Sequence, residues 1–510
     1  MKLRDLLKAL GNTAPLSDAV QESEVTGIAH DSRKVVPGSL FVAVRGFNSD
    51  GHQFIPQAVK QGAVAVVAEA ANPATAPDVP IILVPDTRKA LAALAAFFYG
   101  HPSRQIKLVG ITGTKGKTTT SYLVKSIIEA AGHVTGLIGT IDYRVGNKVY
   151  AAPNTTPEST DLQRLLREMA DIGAEYCVME VSSHALALGR TAECLFETAV
   201  FTNLQEDHLD FHENRESYFQ AKLLLFTGLA PDKTAIINDD DTGSREITAR
   251  SKAKISTFGL SGHADIHPDM PVGYGIGGLS FSVQAPQGII EVASPLVGKH
   301  NVYNILAAIG AASALGFDAN SISQGIARMR AVPGRMEKID EGQPFGVVVD
   351  YAHTEESLAS LLETVREVAT GLVITVFGCG GDRDRTKRPK MGAAALKGSD
   401  VVIVTSDNPR TEDPIRIIRE IEAGMTSAGA RVAGIGPAGS GRSGKTPYLV
   451  NPDRREAIAT AIGMAKAGDV VVLAGKGHED YQIIGEKKIH FDDREVAREE
   501  IKKRQTAEVG

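Results

Sequence analysis

Short β-branched runs alternate with helix-period stretches along the whole of this 510-residue chain. Strands separated by helices pair in parallel, through crossovers that cover the sheet faces. The rhythm therefore predicts an α/β protein built on doubly wound, mostly parallel sheets. It runs in three blocks. "LFVAV" (40–44), "AVAVVAE" (63–69) and "IILV" (81–84) precede a helical "RKALAALAAFFYG", and "GHPSRQ" (100–105) reads as a linker. "KLVGIT", "VTGLIGT", "YCVMEVSS", "TAVFTNL" and "TAIIND" form a second block, with helices predicted from about Lys117, over 160–172 and around 216–226. The glycine-rich stretch 255–299 suggests added antiparallel strands, "HNVYNILAAIGAASALG" a buried helix, and "AVPGRMEKI" (331–339) a second junction. "FGVVVDYAH", "LVITVFGCGGD", "DVVIVTSDNPR" and "DVVVLAGKGHE" carry the third block, where Leu358, Leu361, Leu362, Val365 and Val368 fall at helical spacing. Three domains are expected, at 1–105, 106–333 and 334–510, in keeping with roughly 150 residues per domain.

Two lysine loops compete for a phosphate. "GSGRSGKT" (Gly439 to Thr446) matches the strict pattern G-x-x-x-x-G-K-[ST], whereas "GTKGKTT" (113–119) has Ile111 where that pattern needs glycine. Context decides between them. A phosphate loop works when a strand delivers the chain into a glycine turn whose amides open a helix. After Lys445 come Pro447 and "YLV", an extended run. At 113–118 the strand "KLVGIT", the turn and the amphipathic "TTTSYLVKSIIEAAG" are all in place, so this loop is expected to bind nucleotide. Gly113 and Gly116 admit the phosphates, Lys117 reaches the terminal ones and Thr118 takes magnesium.

Composition narrows the remaining classes. A net charge of −6 without a basic run excludes nucleic acid as the main partner. The start, "MKLRDLLKALGNTAP", lacks the apolar core of a signal peptide, and no apolar run is long enough to span a bilayer. Cys177, Cys194 and Cys379 form no disulfide framework or metal pair, which fits a reducing cytoplasm. Cys379, beside "GGDRDR", reads as a packing thiol.

The shortened loop Gly113, Thr114, Lys115, Gly116, Lys117, Thr118, Thr119 resembles that of the Mur ligase family. These are ATP-dependent enzymes that add amino acids to the peptide of the bacterial cell-wall precursor; the folylpolyglutamate synthetases are related. "NTTPE", "MEVSSHAL", "TNLQEDHLDFH", "YFQAK", "HNVYN", "PGRME", "VVDYAHT", "FGCGGDRD" and "TSDNPRTEDP" follow in the family's order. "DSRKVVPGSLFVAVRG" (31–46) looks like the uridine-nucleotide module of the member that adds the third residue. The resemblance implies an N-terminal UDP-binding α/β domain, a central P-loop domain and a C-terminal Rossmann-like domain. It implies ATP and UDP-MurNAc-L-Ala-D-Glu as substrates with Mg2+ as cofactor, and nothing in it calls for a second copy of the chain.

Joining a carboxylate to an amine is uphill in water, so ATP must first convert the carboxylate into an acyl phosphate. Like charge is then the main barrier, and preorganised cations lower it. The resemblance assigns Glu180 and His208, with Thr118, as metal ligands. Bottom-up, Glu180 ends an apolar strand, the usual place for a functional carboxylate in such sheets. His208 and His212 by themselves read as a surface or capping pair, because "HLDFH" lacks the glutamate of a zinc helix. Lys222 by itself reads as a helix-surface lysine. In the family the lysine at this place is carbamylated, which turns a cation into a ligand for a second magnesium. Asn301, Arg335 and Asp350 correspond to residues that hold adenine, phosphate and ribose. Ser32, Asn154, Thr155, Thr156, Ser182 and Arg190 match contacts to the UDP-sugar peptide, while the Thr-Thr-Pro turn could equally serve local capping. Many relatives have asparagine where this chain has Lys115, and some have glutamine where it has Leu188.

"DNPR" (Asp407, Asn408, Pro409, Arg410) resembles the signature for adding meso-2,6-diaminopimelate, which is lysine with an extra distal carboxylate. An arginine fork suits that carboxylate, and lysine-adding relatives lack it. Arg383 looks like the partner of the other carboxylate. Gly475 and Glu479 of "GKGHED" complete the set, with Glu479 accepting the distal ammonium. Without this context "DNPR" is a β-turn with an exposed arginine. A nucleotide switch, a uridine-nucleotide binding module, a lysine-adding ligase and a folylpolyglutamate synthetase are the rivals. The N-terminal "DSR…PGSLFVA" block argues against the last.

Overall fold

The computed structural model describes residues 1–11, 16–46, 49–70, 79–205, 209–275, 278–427, 431–432 and 447–509. Contacts divide the chain into two compact units. One comprises Met1–Asp269, Ser282–Glu291 and Tyr303–Ile326; the other comprises Met270–Phe281, Val292–Val302 and Ala327–Gly510.

The first unit contains two sheets. Strands β1 (Gly27–Ala29), β2 (Ser39–Val42), β3 (Ala65–Ala68) and β4 (Ile81–Leu83) lie side by side in chain order, all parallel. The alternation of β2 splits Leu40 and Val42 from Phe41, so each face of the sheet has its own core. The second sheet has β5 (Lys107–Thr112), β6 (Thr135–Ile138), β7 (Asp142–Val145), β8 (Lys148–Ala151), β9 (Tyr176–Glu180), β10 (Phe196–Phe201), β11 (Thr234–Asn238) and β12 (Lys254–Phe258). Its order is β12-β11-β10-β5-β9-β6-β7-β8, parallel from β12 to β6 and closed at one edge by the antiparallel β6–β7–β8 meander. The chain winds to one side of β5 through β6 and β9, then to the other through β10. Such a reversal opens a crevice at the carboxyl ends of the strands. The helix after β5 spans Lys117–Ala130 and the one carrying Lys222 spans Arg215–Thr227, with the Asn214 side chain accepting from Ser217 N–H at its start.

Strands β13 (His267–Gly275), β14 (Gly278–Ala285) and β15 (Gly288–Ser294) make a three-stranded sheet within the glycine-rich stretch. The helix Lys299–Ala314 follows, with Val302, Ile305, Leu306, Ile309 and Ala312 buried.

The C-terminal sheet uses β16 (Glu337–Lys338), β17 (Gly346–Asp350), β18 (Val373–Phe377), β19 (Val401–Val404), β20 (Arg431–Val432), β21 (Pro447–Val450) and β22 (Val470–Ala474) in the order β16-β17-β22-β18-β19-β21-β20. All its neighbours are parallel except β16–β17. Strand β22 is a continuous apolar run because helices cover both faces: Val470, Val472 and Ala474 join one core, Val471 and Leu473 the other. Truncating Leu473 to alanine would cost about 2–5 kcal/mol. Helix Glu355–Val368 starts on a Thr354/Ser357 capping box and buries Leu358, Leu361, Leu362 and Val365, as their spacing predicts, while Val368 at its end is half-buried. A hairpin of β23 (Tyr481–Ile484) and β24 (Lys487–His490), which sequence reasoning missed, follows β22. Among the described residues no helix is long and apolar enough to cross a membrane.

Candidate active site

The loop 113–118 leaves β5 at the winding reversal and opens the Lys117 helix, as its sequence context predicts. Neighbouring strands fix its shape. Thr114 N–H donates to Asn203 O at 2.9 Å, Lys115 N–H to Asn203 Oδ1 at 2.9 Å, and Thr202 Oγ1 to Lys115 O at 2.6 Å. Glycine is required twice. Gly113 and Gly116 have φ of +150° and +86°, and an added Cβ would lie 1.9 Å from Thr202 Oγ1 or 2.4 Å from Asn304 Oδ1.

Two ammonium groups converge on one carbonyl: Lys117 Nζ and Lys222 Nζ donate to Gly113 O at 2.9 and 3.0 Å. Lys222 is only 1% exposed and lies over the Tyr218 ring, so the helix-surface reading of this lysine fails. Its helix lies against the loop; the sequence shows a lysine on a helix but not what covers it. Glu180 is fully buried at the end of β9, accepting from Thr118 Oγ1 at 3.0 Å, Thr140 N–H at 2.8 Å and Thr140 Oγ1 at 3.0 Å. Thr119 is half-buried in the same helix turn and Lys115 is exposed. His212 is buried within 2.9 Å of Ser183 Oγ, which corrects its reading as a surface histidine. His208 lies outside the described residues, as does the strict-match loop 439–446; β21 follows that loop, the extended run expected there.

The residues matched to the UDP-sugar peptide fall in the same unit. Thr156 Oγ1 bonds Glu180 O at 2.8 Å and accepts from Ser182 N–H at 3.1 Å, while Ser182 Oγ caps the helix Ser183–Ala187. Arg190 donates to Thr156 O at 3.0 Å and pairs with Glu158. Thr155 Oγ1 lies 3.1 Å from Thr140 Oγ1, Asn154 is exposed, and Ser32 bonds Gln57 in the turn after β1. The bonds of this turn run to residues remote in the chain, and the helix Ser159–Asp171 that follows has no side-chain cap, so the local-capping reading of the Thr-Thr-Pro turn fails.

In the other unit the strand ends again converge. Asp350 closes β17 and accepts from Met336 N–H at 2.7 Å and Ala352 N–H at 2.8 Å. Burial pushes its carboxyl up, against the pull of Arg335 and these amides. Arg335 sits 5.1 Å from the Tyr351 ring centre, and its Nε is buried with no hydrogen bond. Asn301 is buried, its amide donating to Val297 O at 2.8 Å.

Gly475 follows β22, its N–H donating to Asp350 O at 3.1 Å. The 378–381 turn after β18 lies so close to the 407–410 turn after β19 that a Cβ on Gly381 would meet Pro409 O at 1.9 Å. Arg410 adopts φ +52°, a left-handed conformation that costs a non-glycine residue about 1 kcal/mol or more. It is held there by Arg410 N–H to Ile483 O at 3.0 Å and Nη1 to Gly381 O at 2.7 Å. Arg383 is exposed on the adjoining turn, and Gly380 lies between the two arginine side chains.

Asn408 donates to Glu479 Oε2 at 2.9 Å. Burial, then the nearby Asp407 charge, raises the Glu479 carboxyl, while Lys476 and Asn408 pull it back. Cys379 is buried and pushed up to about 12, the unreactive packing thiol expected. Among the described residues no three His, Cys, Asp or Glu side chains cluster as a metal site. Thr140, Thr202, Asn203 and Lys476 were not anticipated; the only signal for them is their place just after a strand.

Three family profiles match in order: "Mur ligase family, catalytic domain" over 24–99, "Mur ligase middle domain" over 111–312 and "Mur ligase, glutamate ligase domain" over 334–477. A protein of Geobacillus thermodenitrificans named UDP-N-acetylmuramoyl-L-alanyl-D-glutamate–2,6-diaminopimelate ligase is 47% identical over 94% of this chain and 96% of its own. One of the same name from Solibacter usitatus is 46% identical over 98% of both. A solved structure of a ligase so named superposes with a TM-score of 0.71 at 33% identity, over 99% of this chain and 100% of that one. With identity sustained over nearly the full length of both chains, and the strand-end loops in the family's order, this chain belongs to the Mur ligase family.

Proposed function

We propose that this ligase joins meso-2,6-diaminopimelate to the D-glutamate carboxylate of UDP-MurNAc-L-Ala-D-Glu, in the cytoplasm, as a step of peptidoglycan precursor synthesis. Near-full-length relatives carry that name. The observation that carries the reading is the pairing of opposite signs in one site. Arg410 and Arg383 flank Gly380, while Asn408 ties the Arg410 turn to the Glu479 carboxylate. A substrate with two carboxylates and two ammonium groups matches both signs.

The carboxylate oxygen of D-glutamate attacks the γ-phosphorus of ATP, and the bond to ADP breaks. The amine of diaminopimelate then attacks the acyl carbon, loses a proton, and phosphate leaves with the electron pair. Lys117 and the amides of 116–118 that open the helix hold the phosphates and offset the charge that builds as carboxylate meets polyphosphate. Thr118 and Glu180, a hydroxyl and a carboxylate 3.0 Å apart, are the hard oxygen donors that magnesium takes. They would hold it with His208, carbamylated Lys222 would hold a second ion, and both ions would neutralise phosphate charge. Asn301, Arg335 and Asp350 would take adenine, phosphate and ribose; Ser32, Asn154, Thr155, Thr156, Ser182 and Arg190 would take the UDP-sugar peptide. We assign the three domains to 1–105, 106–333 and 334–510.

Phosphate release from ATP, with the dipeptide precursor and each amino acid offered in turn, tests this reading. Diaminopimelate should support turnover, and L-lysine should be rejected by roughly 10⁴-fold, because it lacks the carboxylate that the half-buried Arg410 fork is placed to pair. Efficient lysine addition would point to the lysine-adding ligase. Turnover that needs a folate in place of the UDP precursor would point to the synthetase.

A further inference from the structure

One buried charge of the C-terminal unit has no role so far. Lys476 follows Gly475, and its side chain is 0% exposed. Its Nζ lies 3.3 Å from Asn408 Oδ1 and 3.5 Å from both Asp407 Oδ1 and Glu479 Oε2, with the Tyr481 ring centre at 5.6 Å. An ammonium is kept in such a place only when it is paired, and these oxygens supply the pairing. The dependence runs both ways: Asp407 Oδ1 is buried with no hydrogen bond, so this ion pair compensates its charge.

We infer that Lys476 is a positioning residue for the amino-acid site, fixing the charge and orientation of the Glu479–Asn408 pair. The inference rests on the reading of Glu479 as the acceptor for the substrate's ammonium. Asn408 shows how the orientation is set. Its Oδ1 faces Lys476 Nζ and Ile483 N–H, at 3.3 and 3.0 Å, and this turns its Nδ2 onto Glu479 Oε2 at 2.9 Å. Without the ammonium, one of the two groups that hold the amide's carbonyl end in place is gone.

The charge follows from the surroundings. Glu479 and Asp407 are two carboxylates in one buried space, and burial together with the Asp407 charge raises the proton affinity of Glu479. The other groups that face them are Tyr351, Tyr481, His353 and Cys379, Arg410 across Tyr481, and Arg454. Arg454 is already paired with Asp493 at 2.6 Å, and Arg410 is engaged with Gly381 O. Lys476 is therefore the nearest cation, and removing it raises the pH at which Glu479 ionises. An ammonium binds to the ionised form, so affinity lost at neutral pH should return as pH rises.

The test is steady-state kinetics of full-length Lys476→Met and Lys476→Arg. In Lys476→Met the KM for diaminopimelate should rise about tenfold or more at neutral pH, the equivalent of one pKa unit, and recover toward alkaline pH. The KM for ATP should stay within about twofold, and Lys476→Arg, which keeps the charge, should lie nearer wild type than the better-fitting methionine. A loss independent of pH, an unchanged KM, or methionine outperforming arginine would overturn the inference. Should Lys476→Met give no cooperative melt, Lys476→Gln in a Glu479→Gln background decides instead. A residue acting through Glu479 then adds little further loss, and a fully additive loss refutes the role. If the wild type rejects diaminopimelate, the proposed function fails, and the same comparison is run with whichever amino acid it accepts.

Discussion

The two sites stand at the same place in the fold, the carboxyl ends of parallel strands, yet they are built from different material. The 113–118 loop is mainly backbone: glycines where a Cβ would collide, amides opening a helix, and ammonium groups folded onto Gly113 O. The proposed amino-acid site is mainly side chain: a buried lysine among two carboxylates and an amide, and an arginine in a strained backbone conformation. A phosphate presents the same oxygens in every nucleotide, so a generic cradle of amides and cations suffices. One amino acid must be told from another by a single carboxylate, which requires a placed, directional cation.

This contrast is open to direct attack. The largest effect is expected at Lys117: alanine there should lower ATP turnover by at least about 10³-fold, since it removes the cation at the start of the helix, whereas the loop's other lysine, Lys115, is exposed. Lys445→Ala should leave turnover nearly intact, and equal losses in phosphate release would erase the distinction between the two loops. Next comes Arg410. Its alanine variant should raise the KM for diaminopimelate by roughly 10²–10³-fold with little change in that for ATP, and Arg410→Lys should recover only part, because an ammonium lacks the two-pronged contact. A parallel rise in both constants would mean that the two sites are not separable. Lys222→Ala should lose activity and regain some of it with added short-chain carboxylic acids, which can take a carbamate's place as metal ligand. Normal turnover without any additive would remove the lysine from the site. The smallest effect belongs to Lys115. Being exposed, its change to asparagine should alter the KM for ATP by less than about threefold.

The sequence by itself determined the parallel α/β architecture, the strand, turn and helix around the 113–118 loop and the order of the strand-end motifs. Each of these is local: apolar spacing within one strand or helix, or a strand, turn and helix contiguous in the chain. Only the tertiary structure decided which polar side chains are buried and what they meet. Lys222 meets Gly113 across 109 residues, Asn203 meets Lys115 across 88 and Lys476 meets Asn408 across 68. A lysine in a helix or after a strand looks the same in sequence whether it ends in solvent or among carboxylates. Desolvation and pairing come from elements remote in the chain, and no local pattern encodes them.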